Sequence, residues 1–306
     1  MTLVIGSVQL GLIYGILALG IYISFRILNI PDLTADGSFT LGLSVSAILT
    51  VAGHPYLGLL AALIAGAAAG IVTGLLQTKV KIHPILAGIL TMSSLYSVNL
   101  LVLGSRSNLS LIGSDTVFSQ ALAWLPAHKE LVKTLIPLLV CAVCMGVLIW
   151  FFKTHIGLCV RATGNNEDMV RASSINVDAM KLTALGVSNA CVALSGAVMA
   201  QYQGYADISS GIGIVVVGLA SAIIGEAIFG KRSVTLGLIS AVFGALLYRF
   251  VIAAALKTSF FPAYALRIVS AVIVVIALAI PVIKRRIQFS NMKKRARRDA
   301  DDTQSE

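Results

Sequence analysis

The residues of this chain best suited to chemistry do not assemble into an active site. Gly225 to Lys231 reads G-E-A-I-F-G-K and begins as a phosphate-binding loop does, but Arg232 stands where a Ser or Thr must ligate magnesium. The segment also ends an apolar run instead of following a strand, so no nucleotide site is expected and any ATP chemistry must belong to another chain. Cys141 and Cys144 form a C-x-x-C inside the apolar stretch 135–150, without a second pair or a thioredoxin-like context, and read as buried helical thiols. The histidines His54, His83, His128 and His155 are scattered without metal-ligand spacing. There is no H-E-x-x-H, no nucleophile beside a base and no carboxylate pair. The expectation is a chain with no catalytic residues, no metal and no cofactor. Asn108-Leu109-Ser110 matches a glycosylation sequon, a pattern too short to carry weight.

The elements that hold these residues follow from composition. Of 306 residues, 58% are hydrophobic and 12% charged, with a mean hydropathy of +0.93; soluble domains run about 45–50% apolar and about 25% charged. The apolar excess must face lipid, in helices that satisfy their own backbone groups. At about 20 residues per span, the runs 3–25, 37–52, 56–77, 82–103, 131–152, 181–203, 212–229, 233–256 and 264–283 predict an all-α polytopic protein of about nine membrane segments. The domain plan is one transmembrane unit over 1–283, with a polar loop at 153–180, and a basic then acidic, disordered tail over 284–306. No basic residue precedes Arg26 and no cleavage site follows the first run, so no removable signal peptide is expected.

The formal charge of +10 reads as topology, and nucleic acid is not expected as a partner. One set of loops holds Arg26, Lys79, Lys81, Lys153, Arg161, Arg171, Lys181, Lys231, Arg232 and the cluster from Lys284 to Arg298. The opposite loops keep Arg106, Lys129, Lys133 and Lys257, which predicts the N-terminus outside and the C-terminus in the cytoplasm, with the tail against lipid. Gly66, Gly70 and Gly74 recur every four residues in the third run, a spacing that lets helix backbones meet, either within the chain or at a subunit interface; Gly11 and Gly15 pose the same choice.

The loop from Gly157 to Asn176 is the most informative segment. Asn165 is placed to cap a short amphipathic helix, with Glu167 and Asp168 at its positive end and Arg171 toward the other. Such a helix lies across the cytoplasmic face, either simply solvated or as a dock for a soluble protein. Arg161, Ala162, Gly164, Asn166, Ala172, Ile175 and Asn176 form the pattern R-A-x-G-x-N…A…I-N. On this pattern the chain resembles the permeases of binding-protein-dependent ABC importers of the branched-chain amino acid and ribose type. The likeness covers most of the chain, from the first span through Leu256, and is greatest to the branch assigned to aromatic or related amino acids. The resemblance implies that Arg161, Gly164, Asn165, Asn166, Glu167, Arg171, Ala172 and Ile175 couple the permease to an ATP-binding cassette subunit. One departure is Ser174, where the family usually has Gly before the Ile-Asn pair.

A second segment, 29–38, interrupts two apolar runs with Pro31, Gly37 and two carboxylates. Polar backbone at membrane depth is tolerated only where protein or a water-filled cavity surrounds it. The resemblance implies a broken helix beside the translocation path, carrying Asp32, Thr34, Asp36 and Ser38; a plain cytoplasmic loop is the other reading. Asp32-Leu33-Thr34-Ala35 followed by Ser46-Ala47-Ile48 recurs as Asp207-Ile208-Ser209-Ser210 followed by Ser221-Ala222-Ile223 at constant offset. With the preceding spans running oppositely, this predicts a weak inverted repeat and adds Asp207 and Ser209 to the path. Glu226 reads either as a gate or interface group or as a side chain snorkelling toward Lys231 and Arg232. Arg249 and Arg267 fall toward the outer ends of their spans, with Asp207 as a candidate counter-charge.

The longest external stretch, 104–130, carries Arg106, Asp115, Lys129 and Glu130, with Trp124-Leu125-Pro126 suited to the interface. By resemblance it is the candidate dock for an extracytoplasmic substrate-binding protein or lipoprotein, against the plainer reading of a surface loop. The whole predicts a permease subunit in the plasma (inner) membrane of a bacterium, passing a small solute, an amino acid, inward. A separate ATPase subunit drives it and a second copy completes a homodimer. The rival class is a secondary transporter driven by an ion gradient.

Overall fold

The computed structural model describes residues 2–124, 129–230 and 233–257, together with Val272 and Val275. The rest of the ninth predicted span with Arg267, Lys231, Arg232, His128, Leu125-Pro126 and the tail lie outside these residues. Each of the other eight apolar runs becomes a helix. The first is α1 (Thr2–Tyr22), continued by a wider π-turn over Ile23–Ile27, and the next are α2 (Thr34–Val51), α3 (Pro55–Thr78) and α4 (Pro84–Val102). A short strand β1 (Asn108–Ser110) and α5 (Val117–Trp124) lead into α6 (Lys129–Lys153). The helices α7 (His155–Asn165) and α8 (Glu167–Ala172) then precede α9 (Val177–Gln203). Strand β2 (Tyr205–Asp207), α10 (Ile214–Phe229) and α11 (Val234–Lys257) complete the described chain.

Local chemistry explains the boundaries. Pro55 and Pro84 begin α3 and α4, where a missing N–H costs nothing. Gly204, at φ +77°, ends α9 in the left-handed conformation that glycine adopts without strain. The π-turn closes through Leu28 N–H on Ile23 O at 2.9 Å, Asn29 turns left-handed at φ +57°, and Pro31 prevents continuation. Seven helices among the described residues are long and apolar enough to cross a membrane, whereas α10, with 16 residues, is shorter than a full span. The predicted span 212–229 is thus corrected to a shorter helix preceded by turns over 208–213.

Burial separates core from periphery. The apolar windows of α1, α2 and α9 are each 72% buried, against 22% for α6 and 28% for α4. The outer helices instead expose Leu60, Ile64, Leu101 and Trp150, a belt suited to lipid. Small polar side chains join the central helices: Ser195 Oγ donates to Ile13 O at 2.8 Å, Ser188 Oγ to Gly20 O at 2.8 Å and Ser46 Oγ to Ala197 O at 3.2 Å. The glycine stripes pack within the chain. A Cβ at Gly66 or Gly70 would overlap the α9 backbone at Asn189 or Leu185, and Gly11 and Gly15 face Leu246 and Val242 of α11. The subunit-interface reading of these stripes is therefore set aside.

Two irregular segments enter the bundle from opposite ends. Residues 28–33 come from the end that carries α7 and α8, so that α2 begins inside the bundle: Leu33 packs on Gly88 of α4, and Asp32 and Thr34 bond to α9 and α3. Residues 208–213 come from the other end, where β1 and β2 pair antiparallel with Leu109 opposite Ala206. They descend to Asp36, and α10 starts there.

Candidate functional site

The junction of these two segments rests on one carboxylate. Asp36, in the first turn of α2, accepts the backbone N–H of Gly213 through Oδ2 and of Val215 through Oδ1, both at 2.9 Å. It satisfies donors at the start of α10 and sets a negative group against the positive end of that helix. Gly211 fits because a Cβ there would overlap Asp36 O and Thr40 Oγ1. Beside this contact lies a cavity of about 510 Å³ lined by Asp36, Thr40, Ser93, Tyr96, Asn99 and Gly211, among others. Asn99 Nδ2 donates to Gly37 O at 3.3 Å while its Oδ1, also buried, has no hydrogen-bond partner among the described residues. Thus the cavity is walled by α2, α4 and the 208–212 turn, with polar groups in an apolar frame.

The other predicted path residues are not gathered here. Asp32 is fully buried and accepts from Thr34 N–H at 2.9 Å and Asn189 Nδ2 at 2.7 Å. Thr34 Oγ1 lies 2.8 Å from Thr73 Oγ1, and Ser38 is buried with an Oγ that bonds to nothing described. Asp32 and Thr34 fasten the start of α2. Asp207 accepts from Ser209 N–H at 2.7 Å and also from Ser209 Oγ, at the opposite end of the bundle. Asp32 and Asp207, which match in sequence, thus make the same local turn, each carboxylate taking the N–H two residues on. Glu226, in the last turns of α10, receives Arg26 in a two-point pair, Nε to Oε1 at 2.7 Å and Nη2 to Oε2 at 2.5 Å. Arg249 lies over the Tyr14 ring, 3.7 Å from its centre, and not on Asp207. Thr40, Ser93, Tyr96 and Asn99 were not singled out by sequence reasoning, although the polar run within the otherwise apolar α4 was a readable signal.

At the other predicted site, one expectation is corrected. The loop 153–180 forms two helices meeting at an elbow, and the cap is Asn166, not Asn165: Asn166 Oδ1 accepts Met169 N–H at 3.0 Å, while Asn165 is the last residue of α7. Asn165 still has helical neighbours on its C-terminal side only across the elbow, whereas Asn166 is extended at φ −158°, the geometry a cap requires. Glu167 and Asp168 occupy the first turn of α8 and Arg171 its last. The elbow is pinned to α9 by Lys181 Nζ to Glu167 Oε1 at 2.7 Å and, more loosely, Arg171 to Asp178 at 3.8 Å. Asn176 caps α9 by accepting Ala179 N–H at 3.1 Å. Arg161, Asn165, Asn166, Met169, Arg171 and Ala172 point outward, Ile175 is half-buried, and Gly164 touches the π-turn. Ser174 stands at φ +60°, left-handed backbone that glycine adopts without strain.

On the strand-bearing end, Arg106 and Asp115 are exposed beside β1, and Lys129 and Glu130 begin α6. Glu130 Oε2 also accepts from Gln9 Nε2 at 3.3 Å, so it is partly engaged within the chain. Cys144 Sγ lies 3.6 Å from Cys191 Sγ, and all four cysteines are free. No group of three His, Cys, Asp or Glu among the described residues is placed to hold a metal. The P-loop lookalike is helical at Gly225, which packs on Ser240 of α11.

A family model described as the permease component of branched-chain amino acid transport systems matches residues 3–278. The chain belongs to this permease family. A tyrosine transport system permease protein of Clostridioides difficile is 34% identical over 291 residues, covering 95% of each chain. A Rickettsia prowazekii protein, RP368, is 36% identical over 75% of this chain and 79% of its own. The autoinducer 2 import permease LsrC of Yersinia enterocolitica is 25% identical over 73% of this chain and 59% of its own. No solved structure matches. As a family member with seven candidate spans among the described residues, this permease is a multi-pass membrane protein of the transport class.

Proposed function

We propose that this permease imports an amino acid, with tyrosine the first candidate, across a bacterial plasma (inner) membrane, using ATP hydrolysed on a separate cassette subunit. The observation that carries the reading is the α7–α8 elbow: an exposed face with Arg161, Asn166, Met169 and Arg171, braced on α9 by Glu167–Lys181, at one end of the bundle. A carrier driven by an ion gradient has no need of such a braced dock. The permease performs no covalent chemistry itself. The elbow faces the cytoplasm with the C-terminus, and Arg106, Asp115 and Lys129 face a substrate-binding protein outside.

The inward path runs past the cavity beside Asp36, where α2 and α10 begin inside the bundle with their N-termini together. Helices that begin opposed to each other inside a bundle are how inverted repeats build a route through a membrane, and the matching turns at Asp32 and Asp207 support that repeat. Ser93 and Tyr96 of α4 line the cavity and are exposed, and a second copy laid against α4 encloses it in a homodimer. The name of the Clostridioides difficile relative supports tyrosine as substrate.

Uptake into vesicles containing the permease, its ATPase and binding protein tests the reading. Tyrosine accumulation is expected to require ATP and to survive collapse of ion gradients; uptake without ATP that stops with the gradient overturns it. Removing residues 165–172 is expected to abolish co-purification with the ATPase while the permease remains in the membrane.

A further inference from the structure

We propose that the Arg26–Glu226 pair is a strut that carries movement of α7 to α10, making both side chains positioning residues for transport. The inference rests on the reading above, in which the α7–α8 elbow receives the ATPase. Gly164 of α7 meets the π-turn with no side chain between: a Cβ there would overlap Ile27 O and stand 3.0 Å from Leu28 Cα. A shift of α7 toward the bundle therefore presses on the backbone next to Arg26. The turn itself is wound loosely, with Leu28 N–H on Ile23 O and Ile30 N–H on Ser24 O, both at 2.9 Å. Such π-turns are concentrated at functional sites.

From there the link is electrostatic and directional. Arg26 grips Glu226 at two points, and the side chains are only 28% and 9% exposed, so water screens the pair poorly. A planar guanidinium on a carboxylate fixes orientation as well as distance. Glu226 belongs to α10, which at 1.5 Å per residue behaves as a rod about 24 Å long. The far end of that rod is the N-terminus held by Asp36 at the cavity. Pushing one end displaces the other, and the cavity wall moves with it. The pair thus does something a snorkelling glutamate would not: it ties the docking end of the chain to the solute path.

The test uses the assembled transporter of permease, ATPase and binding protein in proteoliposomes. Ser93 lines the cavity and is exposed, so a S93C background reports opening by its rate of reaction with a small maleimide; the native cysteines are buried or half-buried. With the Arg26–Glu226 pair intact, trapping with ATP and vanadate is expected to change the rate by about tenfold. No change there overturns the ATP-driven reading itself. If that change is present, R26Q and E226Q are each expected to reduce it to less than about twofold while ATP hydrolysis continues, and the reversed pair R26E/E226R to restore it. G164A, which wedges α7 from the π-turn, is expected to act like R26Q. Retention of the full change in R26Q and E226Q overturns the strut. So does a parallel fall of hydrolysis, labelling and folded protein that the reversed pair fails to repair, since that marks a purely structural pair.

Discussion

Single polar residues in this bundle act first on the backbone that makes helices begin where they do. Asp32 is fully buried and accepts from two donors, and Asn189 supplies the one that comes from another helix. Replacing Asn189 with Ala leaves a buried acceptor short of a partner, a loss of about 1–3 kcal/mol. The purified protein is expected to melt at a lower temperature, and an unchanged melting temperature would refute this role. Ser174 offers the opposite case. At φ +60° a side chain costs about 1–2 kcal/mol, and glycine returns about 0.5–1 kcal/mol of that as chain entropy. Ser174→Gly is expected to stabilise by up to about 1 kcal/mol with transport unchanged, read from thermal melting and uptake. The side chain is exposed, so little packing is lost.

At the scale of elements, the pairing of α2 with α10 matters more than either helix. Asp36 and its two donors are separated by more than half the chain, yet they set where α10 begins. Asp36→Ala removes a capping group, about 0.5–2 kcal/mol, and frees the wall of the cavity. Uptake is expected to fall by more than stability does, while Asp36→Asn, which keeps one acceptor, is expected to lie between. Equal and small effects on both would show that the junction is passive. The elbow between α7 and α8 is also an inter-element device. Its cap, Asn166, is adjacent to the position that local sequence favoured, because both Asn165 and Asn166 are competent caps. Only the path of α7 against the π-turn decides which residue leaves the helix.

For the whole molecule, the basic residues predict an orientation, and the bundle has two distinct ends to assign, one with the elbow, Lys79 and Lys81 and the other with β1, β2 and α5. A fluorescent protein fused after Glu306 is expected to shine from the cytoplasm, and alkaline phosphatase fused within the 104–116 loop to be active outside. The reverse pattern would invert every assignment of partners to faces. Most of this architecture was legible in the chain. Runs of about 20 apolar residues leave helices no alternative in lipid, and eight of the runs appear as helices among the described residues. The cytoplasmic motif was legible because its residues are contiguous.

What the sequence could not contain was distance between remote segments. It showed Asp32, Asp36, Asp207 and Glu226 as charges in apolar surroundings, and the cost of burying charge marked each as needing a partner. For Asp32, Asp36 and Glu226 it could not say which partner, because Asn189, the α10 backbone and Arg26 lie 157 to 200 residues away, whereas Asp207 takes donors from Ser209, two residues on. Among the described residues, the fold brings Arg26 to Glu226. The helical spans and their lipid exposure follow from local composition, since lipid acts on each segment separately. The cavity, the capped start of α10 and the strut from α7 arise only when helices pack, because packing alone brings together residues that chain order keeps apart.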